Sequence, residues 1–199
     1  MSEHPILFTG EMVRAILEGR KTQTRRVNVG RYLKWKKGDT LWVRERFHFS
    51  RPLTGDIDHD LTTVNVLYYA TDNPRYRDKD KWKPSIHMPH WASRITLELT
   101  EDVRVERVQE ITFDDCLEEG VIWTSALSSC KAETVMPEDV TIESMDDGRR
   151  KFTIKVYHDI WDSINAKRGY SWASNPDVAV ITFKRIDGNE TANIANKEE

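Results

Sequence analysis

The chain has 199 residues, a formal net charge of −3 at pH 7, and 38% hydrophobic and 32% charged residues. A chain of this length can bury a sizeable core without disulfides or metal ions, so we expect a single globular domain. The charge balance excludes a protein that binds nucleic acid over its whole surface. The apolar run at residues 6–8 is too short for a signal peptide, and no stretch is long enough to cross a membrane. We therefore expect a cytoplasmic protein with no membrane partner.

The N-terminal residues predict a strand, a short helix and a sharp stop. A strand is expected at residues 5–8, and Thr9 is a suitable N-cap for the helix that follows it. Gly19 should end that helix, because glycine adopts the left-handed conformation without strain. The apolar stripe at helical spacing is Met12, Val13, Ile16 and Leu17.

Three further strands are expected in the first half of the chain, at residues 22–27, 40–47 and 64–70. Alternation over 40–47 places Glu45 on the same face as the apolar residues Leu41 and Val43. A carboxylate in that position marks either a strand leaving the core or a group turned into a cleft.

The second half continues the strand pattern around one helix that ends in an acid and a glycine. Ile95, Leu97 and Leu99 alternate as in a strand, and the register breaks at residues 100–102, which predicts a bulge or a barrel corner. A capping-box-like start at Thr112 predicts a short helix that ends at Glu118-Glu119-Gly120.

The last elements are a longer helix and a closing strand. Phe152, Val156, Ile160 and Ile164 lie at helical spacing, with Tyr157 and Trp161 widening the stripe. Because Phe152, Ile154 and Val156 also alternate, a strand before a shorter helix is the alternative. The continuous apolar run at residues 178–183 predicts a buried closing strand.

Many short strands with two or three short helices predict an α+β, mainly β fold, in the form of a small closed or nearly closed barrel. We expect one domain over residues 1–186 with inserted segments near 50–89 and 121–147. The polar residues 187–199 should form a disordered tail.

Charge is distributed unevenly along the chain. Residues 14–37 contain nine Lys or Arg and one acid, whereas residues 98–147 contain fifteen Asp or Glu and three basic residues. This pattern predicts a basic face opposed to an acidic one, which would bind an anionic partner locally. Two solvated faces without a partner are the alternative.

Cysteines and histidines give no sign of a metal centre or cofactor. The two cysteines, Cys116 and Cys130, have no metal-ligand spacing, and the six histidines form no H-E-x-x-H or similar cluster. We expect reduced thiols, no metal and no cofactor.

Residues 19–26, Gly-Arg-Lys-Thr-Gln-Thr-Arg-Arg, resemble the G-x-K-T-x-T-x-R signature of ASCH domains, which are relatives of the PUA RNA-binding domain. The resemblance extends to other stretches along residues 5–186. They are Gly38–Glu45, Leu117–Gly120, Trp161–Asn165 and Val180–Phe183, together with Lys83–Pro89, which is similar to a segment of ASCH proteins encoded by phages and prophages.

The resemblance implies a small PUA-like β-barrel with helices around a basic cleft that binds RNA or a nucleoside. One bacterial branch of the family hydrolyses the acetyl amide of acetylcytidine, and another is reported to cut RNA. The site of the amidohydrolase branch carries over to Lys21, Thr24 and Glu119. The two inserted segments have no counterpart in that branch.

Amide hydrolysis assigns a role to each of these three residues. Thr24 would be the nucleophile or would position a water, and Lys21 would act as a neutral base. Glu119, at the C-terminal end of a helix, would shuttle a proton. In a regular strand Lys21 and Thr24 point to opposite faces, so they converge only if Lys21 belongs to the turn or the strand bulges. The alternative is a surface lysine, a strand hydroxyl and a helix-end acid.

Other residues are candidates for substrate binding. Arginines are suited to phosphate contacts, tryptophan to stacking on a base, and the remaining polar groups to hydrogen bonds within a cleft. The candidates are Arg25, Arg26, Trp42, Arg44, Glu45 and His87.

Four functions remain open on the sequence. The first is a module that binds RNA or a modified nucleoside, and the second is an amidohydrolase on acylated cytidine at the same site. The third is a ribonuclease. The fourth is a phage-encoded interaction protein that binds a host protein through the acidic insertion.

Overall fold

The structure is a computed structural model that describes residues 1–50, 65–72, 82–121 and 142–186. The chain divides into two compact units. The first comprises residues 1–19, 38–99 and 184–199, and the second comprises residues 20–37 and 100–183. The tail expected at residues 187–199 lies outside the described residues, as do parts of both expected insertions.

The first unit contains a sheet and a hairpin. Strands β1 (Glu3–Leu7) and β3 (Thr40–Arg44) are parallel, and β6 (Thr96–Leu99) is antiparallel to β3. Strands β4 (Phe47–Ser50) and β5 (Asn65–Tyr68) form a separate antiparallel pair. Side chains that alternate along β3 and β6 are buried, as expected for one apolar face of a sheet.

The helix of the first unit, α1 (Gly10–Leu17), has the predicted boundaries. The Thr9 side chain accepts a hydrogen bond from the Met12 amide and so caps the first turn. Gly19 follows the helix with φ of 73°, a left-handed conformation in which a side chain would be strained. The chain therefore leaves α1 abruptly.

The second unit is built on one antiparallel sheet and two helices. Strand β8 (Asp177–Ile186) pairs with β2 (Gln23–Arg26) and with β7 (Arg104–Arg107). Helix α2 (Phe113–Glu118) has the predicted capping box at Thr112, and it ends at Glu119 and Gly120. Helix α3 (Ile142–Asn165) is the longest. The core of this unit combines residues of both helices and of β8 with residues of the connecting segments: Val27, Val108, Ile111, Cys116, Tyr157, Trp161, Val178 and Val180.

The strand expected over residues 40–47 is two strands instead of one. β3 ends at Arg44 and β4 begins at Phe47, while Glu45 is 1% exposed between them. The alternation correctly identified the buried face, because Glu45 is buried together with Leu41 and Val43. It did not predict that the strand is interrupted between Arg44 and Phe47.

Helix α3 differs from its predicted form in two respects. It begins at Ile142, so residues 142–147 of the expected insertion are helical, and the alternative strand over 152–156 is wrong. Its buried face is also rotated, since Ile160 and Ile164 are 40% and 41% exposed. The residues that are buried are Thr153, Tyr157, Trp161 and Asn165.

Polar residues explain the rotated face of α3. Thr153 Oγ1 donates a hydrogen bond to the Arg149 carbonyl, and Asn165 Nδ2 donates one to the Trp161 carbonyl. Because their own helix satisfies them, both side chains can be buried at little cost. A helical face defined by hydrophobic residues alone excludes Thr153 and Asn165. The predicted face is therefore displaced by about one residue from the face that is buried.

The fold is thus mixed α+β, with eight strands and three α-helices in the described part of the chain. The prediction of an α+β, mainly β fold is confirmed at the level of fold class. In the four described ranges, no helix has the length and apolar character needed to span a membrane.

Candidate functional site

Lys21 and Glu119 face each other because the chain between α1 and β2 is irregular. Lys21 precedes β2 and forms an isolated antiparallel bridge with Glu119. The intervening residue, Thr22, donates its amide to the Glu118 carbonyl at 2.8 Å and accepts from the Phe183 amide at 2.8 Å. Lys21 thus lies between Gly19 and β2, outside the regular strand. The condition set from the sequence, a position in the turn or a strand bulge, concerned convergence of Lys21 with Thr24 and not with Glu119.

The ammonium group of Lys21 is enclosed by three oxygen atoms. Nζ is 2.6 Å from Glu119 Oε2, 2.9 Å from the Glu119 carbonyl oxygen and 2.8 Å from the Gln23 carbonyl oxygen. A protonated lysine has three donors, so this geometry satisfies all of them. The Lys21 side chain is 0% exposed, which makes it a buried charge and not the surface lysine of the alternative interpretation.

The carboxylate of Glu119 is held at both of its oxygen atoms. Oε1 accepts from the Arg25 backbone amide at 2.6 Å and from the Tyr157 hydroxyl at 3.4 Å, while Oε2 accepts from Lys21. The Glu119 side chain is 6% exposed. Glu119 is the C-cap of α2, and its backbone amide donates to carbonyls of the last turn.

Arg25 lies beside the pair in a shell of acids. Its Nη2 is 2.9 Å from Glu106 Oε2 and 3.1 Å from Asp115 Oδ2, and its Nη1 is 3.9 Å from Glu119 Oε1. Nη1 also donates to the Gln23 side-chain oxygen, and the Arg25 side chain is 0% exposed. The guanidinium therefore binds protein carboxylates, and its role in substrate binding stays a prediction.

These contacts correct the predicted separation of basic and acidic faces. Within the second unit the basic run meets the acidic segment directly, through the Lys21–Glu119 pair, the contacts of Arg25, and the exposed pair of Lys36 with Asp102. Three of the nine basic residues, Lys21, Arg25 and Lys36, are thus paired with acids of the other segment. For these three, neither opposed faces nor two solvated faces describe the arrangement.

Burial and neighbouring charges shift the pKa of the basic groups in different directions. The pKa of Lys21 is lowered, mainly by burial, although Glu119 acts in the opposite sense. Burial likewise lowers the pKa of Arg26, against the attraction of Glu119. For Arg25 burial acts to lower the pKa, but the surrounding acids, Glu119 first, outweigh it and the pKa is raised. Of the three groups, Lys21 is the one with the lowest ordinary pKa, and burial lowers that pKa.

Two other groups near Glu119 are kept in their neutral forms. Burial, followed by the charge of Glu119, raises the pKa of Tyr157 well above its ordinary value, so its hydroxyl stays a donor. Burial raises the pKa of the Cys116 thiol to about 12. Cys116 is 0% exposed and packs in the core of the second unit.

We expect Cys116 to be unreactive in the folded protein, because a buried thiol with so high a pKa forms little thiolate. In a Cys130→Ser background, a maleimide should not label the native chain at pH 7 over hours and should label it fully in denaturant. Mass spectrometry of both samples gives the extent of labelling. Rapid labelling without denaturant would contradict the burial of Cys116.

Thr24 is buried on β2 next to the pair but makes a different set of contacts. It is 2% exposed, and its backbone is in register with Ile181 of β8. In the part of the chain that the structure describes, the hydrogen bonds of Glu119 do not include the Thr24 hydroxyl. The structure thus brings together Lys21 and Glu119, while the role of Thr24 stays a prediction.

Four of the expected binding residues belong to the first unit. Trp42 and Arg44 are on β3, and His87 ends a single 3₁₀ turn over Ser85–His87. Glu45 is engaged by Arg94, whose Nε is 2.8 Å from Oε1 and whose Nη2 is 3.1 Å from Oε2. Both carboxylate oxygens of Glu45 are therefore occupied.

Several residues of the Lys21–Glu119 site were not identified from the sequence. Gln23 and Tyr157 contact the charged groups directly, and Glu106 and Asp115 hold Arg25. The signals for two of them were present in the sequence, because Tyr157 is on the predicted helical stripe and Asp115 is in the predicted capping box. Glu106 lies between Arg104 and Arg107 on a short strand. This position is not a specific signal for a site residue.

The described residues contain no cluster of three or more His, Cys, Asp or Glu that could hold a metal ion. No family model matches the sequence, and no curated protein or solved structure shows significant similarity to it.

Proposed function

We propose that the Lys21–Glu119 pair is the acid–base centre of an amidohydrolase that acts on an acylated cytidine or a similar nucleoside, in an ASCH-type domain with a PUA-like barrel. The observation that carries the proposal is the 2.6 Å contact between Lys21 Nζ and Glu119 Oε2 in a site where both side chains are almost fully buried. The resemblance of residues 19–26 to the ASCH signature gives the substrate class.

A short, buried contact between an ammonium and a carboxylate favours proton transfer. Moving a proton from Lys21 Nζ to Glu119 Oε2 converts two buried charges into a neutral amine and a carboxylic acid. Burial favours these neutral forms, and it is the main cause of the lowered pKa of Lys21. The amine can then accept a proton, and the acid can donate one.

The neutral pair matches the needs of amide hydrolysis. The Lys21 amine takes a proton from a water as its oxygen attacks the acyl carbon, and the Thr24 hydroxyl positions that water. Glu119 gives its proton to the departing cytidine nitrogen as the carbon–nitrogen bond breaks. Water is added across the amide, the products are the carboxylic acid and the free nucleoside, and the resting ion pair is restored.

The neighbours of the pair act on its two members. Arg25 and Arg26 carry positive charge next to Lys21 and disfavour its protonated form. The Tyr157 hydroxyl remains a donor at Glu119 Oε1. These fixed groups hold the pair in place without reorganising during the reaction.

The proposal predicts release of cytidine from N4-acetylcytidine by the full chain, measured by chromatography. Glu119→Gln and Lys21→Met should each lower kcat/KM by at least about 100-fold, because each removes one half of the proton relay. Lys36→Met and Asp102→Asn are matched controls, since they remove an exposed Lys–acid pair of the same unit and should leave the rate unchanged.

Loss of folding must be separated from loss of chemistry. Each variant should therefore be compared with wild type by circular dichroism and thermal unfolding at the assay temperature. Folded Glu119→Gln that keeps the wild-type rate, or wild type that releases no cytidine, would refute the proposal. The ribonuclease alternative stays a prediction. The host-protein alternative also stays a prediction, because residues 122–141 of the acidic insertion lie outside the described residues.

A further inference from the structure

Two buried cations lie near the carboxylate of Glu119, at different distances. Lys21 Nζ contacts Oε2 at 2.6 Å, whereas Arg25 Nη1 is 3.9 Å from Oε1. Both cationic side chains are 0% exposed, so bulk water does not screen either of them. A guanidinium can bind a carboxylate through two parallel hydrogen bonds, which makes Arg25 a strong competitor for Glu119. The fold therefore needs a means of holding Arg25 back.

Arg25 is held at its other terminal nitrogen by two acids. Nη2 is 2.9 Å from Glu106 Oε2, on β7, and 3.1 Å from Asp115 Oδ2, on α2. Nη1 donates to the side-chain oxygen of Gln23. Among the described residues Nε has no hydrogen-bond partner, so the terminal nitrogens set the orientation of the guanidinium. The group is thus drawn toward Glu106 and Asp115, and its approach to Glu119 stops at 3.9 Å.

The two acids are themselves fixed by other contacts. Glu106 Oε1 accepts from Arg104 Nε at 2.6 Å, which leaves Oε2 for Arg25. Asp115 Oδ2 accepts from the Thr112 amide at 2.9 Å and from the Thr112 hydroxyl at 2.7 Å. Burial acts to raise the pKa of Asp115, but the hydrogen bonds from Thr112 and the charge of Arg25 outweigh it, and the pKa is lowered. Asp115 therefore stays charged and available to Arg25.

We propose that Glu106 and Asp115 are positioning residues of the Lys21–Glu119 centre, which bind Arg25 and so reserve the Glu119 carboxylate for Lys21. Neither acid is assigned a contact with substrate. The expected effect on rate rests on the proposed hydrolysis, whereas the expected effect on the pairing of Glu119 does not.

The identity of the partner decides whether Glu119 can receive a proton. Lys21 can give up its proton, since burial lowers its pKa. An arginine keeps its proton at every working pH. Glu119 paired with Arg25 would therefore remain a carboxylate and would have no proton for a leaving group. Lys21 would at the same time lose the acid that receives its proton.

The double variant Glu106→Gln, Asp115→Asn tests the proposal, because both side chains keep their size and lose their charge. The released guanidinium should move to Glu119, so a crystal structure should show an Arg25 terminal nitrogen within about 3 Å of a Glu119 oxygen. NMR of the full chain with 15N-labelled lysine follows the titration of Lys21 Nζ. This titration should occur at a lower pH than in wild type, because Lys21 has lost its partner.

A third substitution separates competition by Arg25 from a general loss of packing. Adding Arg25→Met to the double variant removes the competitor, so Lys21 should contact Glu119 again and its titration should move back to higher pH. Glu101→Gln is the matched control, since it removes an acid that contacts Arg104 at 3.2 Å, and it should change neither readout. Circular dichroism and thermal unfolding show whether each variant is folded. If the double variant does not fold, the two single variants are compared in the same way.

Hydrolysis of N4-acetylcytidine gives a further readout. The double variant should lower kcat/KM by at least about 10-fold, and Glu101→Gln should not. If wild type releases no cytidine, the proposed hydrolysis fails, while the position of Arg25 and the titration of Lys21 still decide this inference. An Arg25 that keeps its place in the double variant, an unchanged Lys21 titration, or a defect that persists after Arg25→Met would overturn the proposal.

Discussion

Replacing Lys21 by methionine is expected to lower the free energy of unfolding by about 3–5 kcal/mol. Methionine has about the length of lysine but lacks the ammonium. The carboxylate of Glu119, whose side chain is 6% exposed, would then be buried without the lysine that pairs with it. The Glu119 and Gln23 carbonyls lose their donor as well. A buried charge without its partner is among the most destabilising changes in a protein.

Urea unfolding at pH 7, followed by circular dichroism, measures this effect. Lys36→Met removes an exposed pair and should change the free energy of unfolding by less than about 1 kcal/mol. In the double variant with Glu119→Gln no charge is left unpaired, so its loss should be clearly smaller than the sum of the two single losses. A loss below about 1 kcal/mol for Lys21→Met would show that the pair is not buried as described.

Replacing Arg94 by methionine is expected to destabilise the first unit by roughly 2–3 kcal/mol at pH 8. This is somewhat less than the loss expected when one partner of a fully buried ion pair is removed. Arg94 occupies both oxygens of Glu45, and its guanidinium lies 3.9 Å from the centre of the Tyr68 ring. The Arg94 side chain is 25% exposed and that of Glu45 is 2% exposed, so the carboxylate is the group left uncompensated.

The pH dependence of this variant has a definite sign. Burial raises the pKa of Glu45, and the hydrogen bonds and charge of Arg94 act to lower it. Without Arg94 the folded-state pKa must rise further above the unfolded value. A raised pKa contributes stability that is present at low pH and is lost as pH rises through the folded-state value.

Arg94→Met should therefore be closest to wild type near pH 4 and progressively less stable toward pH 8. Urea midpoints at intervals between these pH values test the trend. Adding Glu45→Gln removes the titrating group, so the double variant should lack the extra pH dependence. A constant difference between wild type and Arg94→Met across this range would contradict the assignment.

Local signals in the sequence were sufficient for most of the element boundaries. The cap at Thr9, the stop at Gly19 and the capping box at Thr112 each depend on residues within one turn, and the structure confirms all three. The break between Leu99 and β7 was also visible as a change of register. These features require no knowledge of what packs against them.

The two main errors had different physical causes. The buried face of α3 includes Thr153 and Asn165, whose polarity is satisfied by their own helix. The acids that neutralise Arg25 come from β7 and α2, about a hundred residues later. Charge counts along a sequence do not reveal such pairing, because it depends on strand order and register.

The Lys21–Glu119 pair was anticipated through the resemblance to ASCH domains, since spacing alone gave no reason to join them. What the sequence could not supply was the isolated bridge that brings the two backbones together. Period-two geometry applies within β2, and Lys21 lies just before it. Thr22, which lies between the isolated bridge and β2, therefore allows Lys21 to contact Glu119.

The pairing of β2 with β8 has a consequence for synthesis on the ribosome. Residues 23–26 emerge long before the strand with which they pair, which ends at residue 186, and the Thr22 carbonyl receives its hydrogen bond from Phe183. Until β8 leaves the exit tunnel, the nascent chain exposes an unpaired strand beside a lysine that is buried in the folded protein. Completion of the Lys21–Glu119 centre must then wait for β8 to emerge.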